Sequence, residues 1–167
     1  TTLAVGKGIK LNVLRSIPWP HSLGHFYSTM TGFLGFTMLD GEYKLMGLAP
    51  YGTPDHLSFI RRHMLITDKP GSYRLNHALV DYHAALQGQF PKALREIFGE
   101  PRQNEAAPFT DRHQHIAAST QAVFEEVAQD LALWAFQEGG QHRNLAIAGG
   151  CGLNCAANGR LLREGPF

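Results

Sequence analysis

Cysteine is scarce in this chain, with only Cys151 and Cys155 among 167 residues. Secreted disulfide frameworks are denser than this. A zinc site would need two further ligands, and no second cluster has suitable spacing. We therefore expect two free, partly buried thiols on one face of a helix, four residues apart, in a reducing cytoplasm.

An excess of charge and long apolar runs are also missing. Fifteen Lys and Arg residues balance fourteen Asp and Glu residues, which leaves a formal charge of +1. This charge predicts neither a nucleic acid nor a membrane partner. No apolar run approaches the roughly 20 residues that a bilayer span requires. The N-terminus resembles no signal peptide and lacks Met, so we expect the chain to begin inside a longer protein.

What the chain does contain is typical of one soluble globular domain, with 44% hydrophobic and 17% charged residues. Periodicity predicts a hairpin over 1–5 and 9–17, a helix over 22–34 that Ser22 can start, and a long helix over 111–138. An apolar strand over 144–148 then leads through a glycine turn into another helix. This order predicts an α/β domain with a buried sheet. Weaker patterns predict helices over 55–65 and 91–98 and a strand over 71–75.

The glycine turn is the most informative segment, Leu145-Ala-Ile-Ala-Gly-Gly-Cys-Gly-Leu-Asn-Cys-Ala-Ala-Asn158. Gly149 and Gly150 leave backbone N–H groups bare where a helix begins, and a helix N-terminus attracts anions. The segment therefore predicts a nucleotide or phosphate site. The alternative is that the two glycines serve only close packing of strand and helix.

A second unusual segment is Gly41-Glu-Tyr-Lys-Leu-Met-Gly-Leu-Ala-Pro-Tyr-Gly52. Glu42 and Lys44 are two residues apart, so on a strand they would share a face. Lys44 would then contact a phosphate or substrate, and Glu42 would orient it. The alternative is an ordinary exposed ion pair of well under about 1 kcal/mol.

Two histidine pairs invite a metal-site interpretation. On a helix, the spacing of His21 and His25 would place both imidazoles side by side. No acidic third ligand lies nearby in sequence, so we favour a histidine at the helix start and an incidental surface histidine. We expect His113 and His115 to be exposed to solvent at the start of the long helix.

Three segments, taken in chain order, resemble a known family. They are Pro20-His-Ser-Leu-Gly-His-Phe-Tyr-Ser28, the segment from Gly41 to Gly52, and the glycine-turn segment extended to Leu161. Together they resemble the O-carbamoyltransferases of the nodulation-factor, tobramycin and cephamycin type. The stretch from Ile116 to Glu126 is similar to a helix of that family. The resemblance covers essentially the whole chain.

This resemblance implies an actin-like ATPase fold with two ribonuclease-H-like halves, each a mixed sheet flanked by helices. Residues 1–167 would be the second half, truncated at both ends. The family converts carbamoyl phosphate and ATP to carbamoyl-adenylate and passes the carbamoyl group to a hydroxyl of a sugar or natural product. A divalent metal, iron or magnesium, helps to hold the nucleotide phosphates.

By the same resemblance, Gly149 and Gly150 would approach the nucleotide through their backbone, with Asn154 near the adenosine or phosphate. The family's metal-binding histidines lie upstream, and a metal-binding Asp and the carbamoyl phosphate lobe lie downstream. We therefore expect no metal ligands and no complete catalytic site in these residues. The partners would be ATP, carbamoyl phosphate, a small hydroxyl-bearing acceptor and the remaining domains of the same polypeptide.

Two other interpretations stay open. One is a relative of the same fold, either an enzyme that makes threonylcarbamoyl-adenosine on tRNA or a sugar kinase. The neutral charge argues mildly against a tRNA partner. The other is a nucleotide-binding or scaffolding module without catalysis.

Overall fold

The computed structural model describes all of residues 1–167 and shows a mixture of helices and short strands. The strands are β1 (Thr2–Lys7), β2 (Lys10–Ser16), β3 (Leu65–Ile66) and β4 (Arg74–Leu75). The α-helices are α1 (Leu23–Phe33), α2 (Glu42–Leu48), α3 (Leu57–Phe59), α4 (Tyr82–Leu86), α5 (Lys92–Phe98), α6 (Asp111–Glu138) and α7 (Cys155–Glu164). A π-helix (Ile60–Met64) continues α3, and 3₁₀ turns occupy Ala49–Tyr51 and Gly150–Leu153.

The N-terminal hairpin is confirmed. β1 and β2 pair in antiparallel register, with Ala4 opposite Val13 and Gly6 opposite Leu11. The turn includes Gly8, whose φ of 60° glycine adopts without steric cost. β1 extends two residues further into the turn than the sequence predicted, whereas β2 begins one residue later. One face of the hairpin lies toward α6, and the other leaves Leu11 and Val13 exposed.

The long helix α6 is also confirmed, and it organises the core. Ile116, Val123, Val127 and Leu131 are all buried along one stripe, as the three- and four-residue spacing predicts. A single cluster of 26 buried apolar residues includes side chains of α1, α2, α5, α6 and α7, so these helices share one core. No helix combines the length and hydropathy that crossing a membrane requires.

The start of α6 corrects one expectation. His113 is only 5% exposed, although the sequence predicted a solvent-facing residue. Its ring belongs to a capping box, in which the Thr110 side chain bonds the His113 backbone and the Thr110 N–H donates to His113 Nδ1 at 3.1 Å. This capping hydrogen bond holds the imidazole against the first turn of α6. Burial, followed by the nearby Arg112 and Arg102 charges, lowers the pKa of His113.

The predicted combination of helices and strands is confirmed, but the mixed sheet flanked by helices does not form within residues 1–167. The strands form two separate antiparallel pairs, β1 with β2 and β3 with β4. The strand predicted over 144–148 does not form, and residues 140–150 are all exposed. A strand requires a neighbour to pair with, and no segment of residues 1–167 pairs with this stretch.

The weaker predictions are partly correct. The helix over 91–98 is confirmed as α5. The helix over 55–65 is present as α3 and the π-helix, whereas the strand over 71–75 is reduced to the two residues of β4.

Gly71 joins the β3–β4 region to α6. Its N–H donates to Asp130 Oδ2 at 2.7 Å, and a Cβ added at Gly71 would lie only 2.2 Å from Trp134 Cγ. The Arg15 guanidinium also lies over the indole, 3.8 Å from its centroid. The indole therefore packs against both the β2 arginine and the backbone of Gly71, where no side chain fits.

We predict that Gly71→Ala destabilises the fold far more than Gly88→Ala. Both glycines have positive φ, 66° and 72°, so each alanine pays a similar backbone cost of about 1–2 kcal/mol. Only at Gly71 does the new methyl group also meet Trp134, which adds about 1–3 kcal/mol of overpacking. Urea denaturation of the two variants measures the difference, and equal losses would contradict the packing argument.

Candidate functional site

A cavity of about 490 Å³ lies between α1, the start of α2 and the Gly150–Leu153 turn. All three sequence segments that carry the family resemblance contribute to its lining. The lining residues used below are Ser28 and His25 of α1, Glu42 at the start of α2, and Gly150, Cys151 and Asn154. Asp40, Tyr82 and the N-terminal Thr1 also line it. A second hollow of about 400 Å³, near Arg61, receives none of these segments.

The glycine turn is built differently from the prediction. The 3₁₀ turn Gly150–Leu153 separates Gly150 from α7, which begins only at Cys155. The two glycines are therefore not at the N-terminus of the α-helix. Gly149 has a φ of 96°, which requires glycine. The N–H groups of Gly150 and Cys151 donate to no other residue, whereas the N–H of Gly152 closes the turn on the Gly149 carbonyl.

Asn154 has a structural task that the sequence did not reveal. It is the N-cap of α7, where its Oδ1 accepts from the Ala157 N–H at 3.0 Å. Its carboxamide also pairs with that of Gln121, through two hydrogen bonds of 3.0 Å each. Asn154 is 8% exposed. It lines the cavity, but its amide is already engaged by α6 and α7.

Gln121 is the important residue that the sequence analysis missed. It lies buried beside the apolar stripe of α6, and its Oε1 accepts from the Tyr27 hydroxyl at 2.7 Å. Burial raises the pKa of Tyr27 far above its ordinary value, so the phenol stays protonated and donates. The available signal was a glutamine within an otherwise apolar and small stretch of α6, which indicates a buried polar partner.

Glu42 and Lys44 do not share a face. The segment forms the helix α2 rather than a strand, and residues two apart on a helix point in different directions. Glu42 lines the cavity, where its Oε1 accepts from Ser28 Oγ at 2.5 Å and from the Leu39 N–H at 2.8 Å. Lys44 lies outside the cavity, and its Nζ is 2.6 Å from Glu105 Oε2.

Lys44 pairs with Glu105 rather than with Glu42, so the Glu42–Lys44 ion pair that the sequence analysis offered as the alternative does not form. The hydrogen bond with Glu105 raises the pKa of Lys44, and the same bond lowers the pKa of Glu105. Glu105 also accepts from the Thr37 N–H at 3.2 Å. Lys44 therefore connects α2 to the loop before α6, and the Glu105 carboxylate already balances its charge.

His21 and His25 serve different neighbours and do not form a pair on one helix face. His21 precedes the N-cap Ser22, accepts from the Leu75 N–H at 3.2 Å and stacks on His77 with 5.1 Å between centroids. His25 lies on α1, and its ring stacks on Tyr82 at 3.9 Å beside the cavity. Burial is the main cause that lowers the pKa of both imidazoles.

The two cysteines also lie apart from the predicted shared helix face. Both are free thiols, as expected. Cys151 is in the 3₁₀ turn, partly buried and facing the cavity, and burial raises the pKa of its thiol. Cys155 is the exposed first residue of α7, with its Sγ 3.7 Å from Met46 Sδ.

No three His, Cys, Asp or Glu side chains are grouped so as to hold a metal ion. The cavity carboxylate Glu42 already accepts two hydrogen bonds through one of its oxygens. Residues 1–167 alone therefore do not provide the ligands for the divalent metal of the family, which the resemblance places upstream and downstream of them.

Comparison with known proteins supports the family that the three segments indicate. Residues 1–167 match the family described as carbamoyltransferase N-terminus. An uncharacterized protein of Synechocystis, sll1178, is 45% identical over 167 residues, which are 100% of this chain and 27% of that protein. Nodulation protein NolNO of Sinorhizobium fredii is 36% identical over 166 residues (99% of this chain, 22% of that protein). Nodulation protein NolO of Bradyrhizobium diazoefficiens is 35% identical over 165 residues (99% and 28%).

The chain therefore belongs to the carbamoyltransferase family, as the sequence resemblance predicted. It spans about a quarter of the length of these relatives.

We predict that Gln121→Leu lowers the free energy of unfolding by about 1–3 kcal/mol, because it leaves the buried Asn154 amide and Tyr27 hydroxyl without their partner. The matched control is Gln129→Leu on the same helix. Gln129 makes only an exposed hydrogen bond to Glu164, so its loss costs about 0.5 kcal/mol or less. Chemical denaturation compares the two, and a Gln121 variant as stable as the control would refute the structural role of the network.

Proposed function

We propose that this chain supplies one wall of the nucleotide site of an ATP-dependent O-carbamoyltransferase. The whole enzyme would form carbamoyl-adenylate from ATP and carbamoyl phosphate, then transfer the carbamoyl group to a hydroxyl of a sugar or natural product. The observation that carries the proposal is the convergence of the three resemblance segments on one cavity. The family membership of the chain supports the same reaction class.

The polar groups of the cavity divide into two kinds. The N–H groups of Gly150 and Cys151 donate to no other residue, so they are available to phosphate oxygens. The carboxylates of Asp40 and Glu42 would repel phosphate. Glu42 uses Oε1 for both of its hydrogen bonds, so Oε2 is free to accept from a ribose hydroxyl. We therefore assign the phosphates to the glycine turn and the ribose to the α2 end.

The chemistry of these groups follows from their charge. Backbone N–H groups fixed in a turn stabilise the negative charge of a nucleotide without reorganising. Ser28 holds the Glu42 carboxylate in place, so that carboxylate orients the sugar rather than acting on the phosphates. No step is assigned to a metal, because the side chains of this chain do not form a site for one. The rest of the catalytic machinery would come from other parts of the polypeptide.

We predict that Gly150→Ala and Gly150→Val weaken ATP binding by the full-length enzyme in that order, with at least about a tenfold loss for valine. The added side chain would fill the space that the phosphates approach. A Cβ at Gly150 meets no atom within 4 Å, so both variants should keep their thermal midpoint. Titration calorimetry measures the affinity, and unchanged affinity in a folded valine variant would refute the phosphate assignment.

A second prediction uses the two thiols as internal reporters. ATP should slow the alkylation of Cys151, which faces the cavity, and leave Cys155 unaffected. Without ATP, Cys155 should react faster, since burial raises the pKa of the Cys151 thiol and lowers its thiolate fraction at a given pH. Mass spectrometry of the full-length enzyme with limiting iodoacetamide gives both rates. Equal protection of the two thiols, or of neither, would count against nucleotide in this cavity.

A further inference from the structure

The side-chain charge of the cavity wall is opposite to what a phosphate-bearing ligand requires. The wall carries two carboxylates, those of Asp40 and Glu42, and neither lysine nor arginine lines it. Lys44 lies outside the cavity and is paired with Glu105. A phosphate-bearing ligand would therefore meet net negative charge from these side chains, which disfavours its binding unless a cation forms nearby.

His25 is the one side chain of the wall that can become a cation near neutral pH. Neither ring nitrogen bonds another residue, because the side chains of Ser22 and Thr29 contact only the backbone N–H and carbonyl of His25. No buried side-chain nitrogen of the structure lacks a partner, so the His25 nitrogens are accessible from the cavity or from solvent. The Thr1 amino group also lines the wall, but it donates to the Ile17 carbonyl at 2.9 Å.

The course of α1 places His25 on the phosphate side of the cavity. Gly24 lies against the glycine turn, where an added Cβ would be 3.6 Å from Cys151 Sγ. His25 and Ser28 are three residues apart, so they share the side of α1 that lines the cavity. Ser28 is hydrogen-bonded to Glu42. Of these two residues, His25 is therefore next to the turn assigned to the phosphates, and Ser28 is next to the carboxylate assigned to the ribose.

Tyr82 favours a positive charge on this imidazole. The two rings are nearly parallel, with 10° between their planes and 3.9 Å between their centroids. An aromatic face stabilises a cation that stacks on it. Burial, followed by the nearby His83, acts in the opposite direction and lowers the pKa of His25. None of the other titratable side chains of the wall can carry a positive charge: Tyr27, Asp40, Glu42, Tyr43, Tyr82 and Cys151.

We propose that His25 is a proton-linked contact for the phosphates of the nucleotide. The imidazole takes up a proton as the phosphates bind, the imidazolium donates to a phosphate oxygen, and the Tyr82 ring stabilises the charge. The proposal rests on the proposed nucleotide site and adds a dependence on pH to it.

The sign of this dependence follows from linkage. A bound anion favours the protonated imidazole and so raises the pKa of His25. Because the nucleotide-bound form then holds more protons than the free form, ATP affinity increases as the pH falls toward the ordinary histidine value of about 6.5. Well above that pH, His25 is neutral in both forms, and its contribution disappears.

Proton uptake on ATP binding tests the proposal in the full-length enzyme. Titration calorimetry of MgATP, in two phosphate-free buffers of different ionisation enthalpy, gives the number of protons bound per nucleotide. At a pH of about 6.5, the wild type should take up at least about 0.3 proton more than His25→Gln. The protons of ATP itself cancel in this difference. His63→Gln is the matched control, because this exposed histidine lies outside the cavity, and it should match the wild type.

A second variant, His25→Lys, keeps a positive charge throughout this pH range. At a pH of about 7.5 it should bind ATP at least about threefold more tightly than His25→Gln. It should take up no more protons than that variant does. Thermal midpoints of both variants check that they are folded.

The outcomes separate this proposal from the nucleotide site itself. ATP binding that Gly150→Val weakens, with equal proton uptake by the wild type and His25→Gln, would refute the role of His25 and leave the nucleotide site standing. Absence of ATP binding by the wild type would refute both.

Discussion

The pairing of the Gln121 and Asn154 carboxamides is the interaction on which the arrangement of this domain depends. Gln121 belongs to α6, Asn154 caps α7, and the Tyr27 hydroxyl of α1 joins them. Three helices that are far apart in sequence are thereby fixed at one buried point. Each of these polar groups would be costly to bury alone, and each is satisfied only in this arrangement.

This network also positions the cavity. Tyr27 and Asn154 both contribute to its wall, and the turn that carries the free N–H groups of Gly150 and Cys151 ends at Asn154. The sequence resemblance assigned Asn154 to nucleotide contact, and the structure adds a supporting function for the same side chain. The network thereby connects the packing of α6 to the turn on which the proposed phosphate contacts depend.

The sequence predicted the elements that local rules define. α1 begins where Ser22 caps it, α6 follows its apolar stripe, and the hairpin turns at a glycine. These features depend on residues close together in the chain. The strand over 144–148 and the mixed sheet do not form within residues 1–167, because strand pairing depends on a distant segment.

The site was predicted only in outline. The three motif segments were recognised, and the cavity brings them together. The strand assumed for Glu42 and Lys44 is a helix, because a two-residue spacing in a short mixed segment fits either period. Gln121 was missed, although its position within an apolar and small stretch of α6 indicates burial; its partners Tyr27 and Asn154 are distant in sequence.

The two paired carboxamides also fix which way each side-chain amide is oriented. Because α7 needs the Asn154 oxygen as its cap, the nitrogen of that amide must face the oxygen of Gln121. That choice in turn fixes the Gln121 nitrogen and makes the Tyr27 hydroxyl the donor. The helix cap and the Glu125 carboxylate, which accepts from Gln121 Nε2 at 2.8 Å, therefore set the same orientation of the two amides. Reversing either amide would place like groups against each other at three contacts. The arrangement of the three helices is therefore fixed by the directions of these hydrogen bonds as well as by packing.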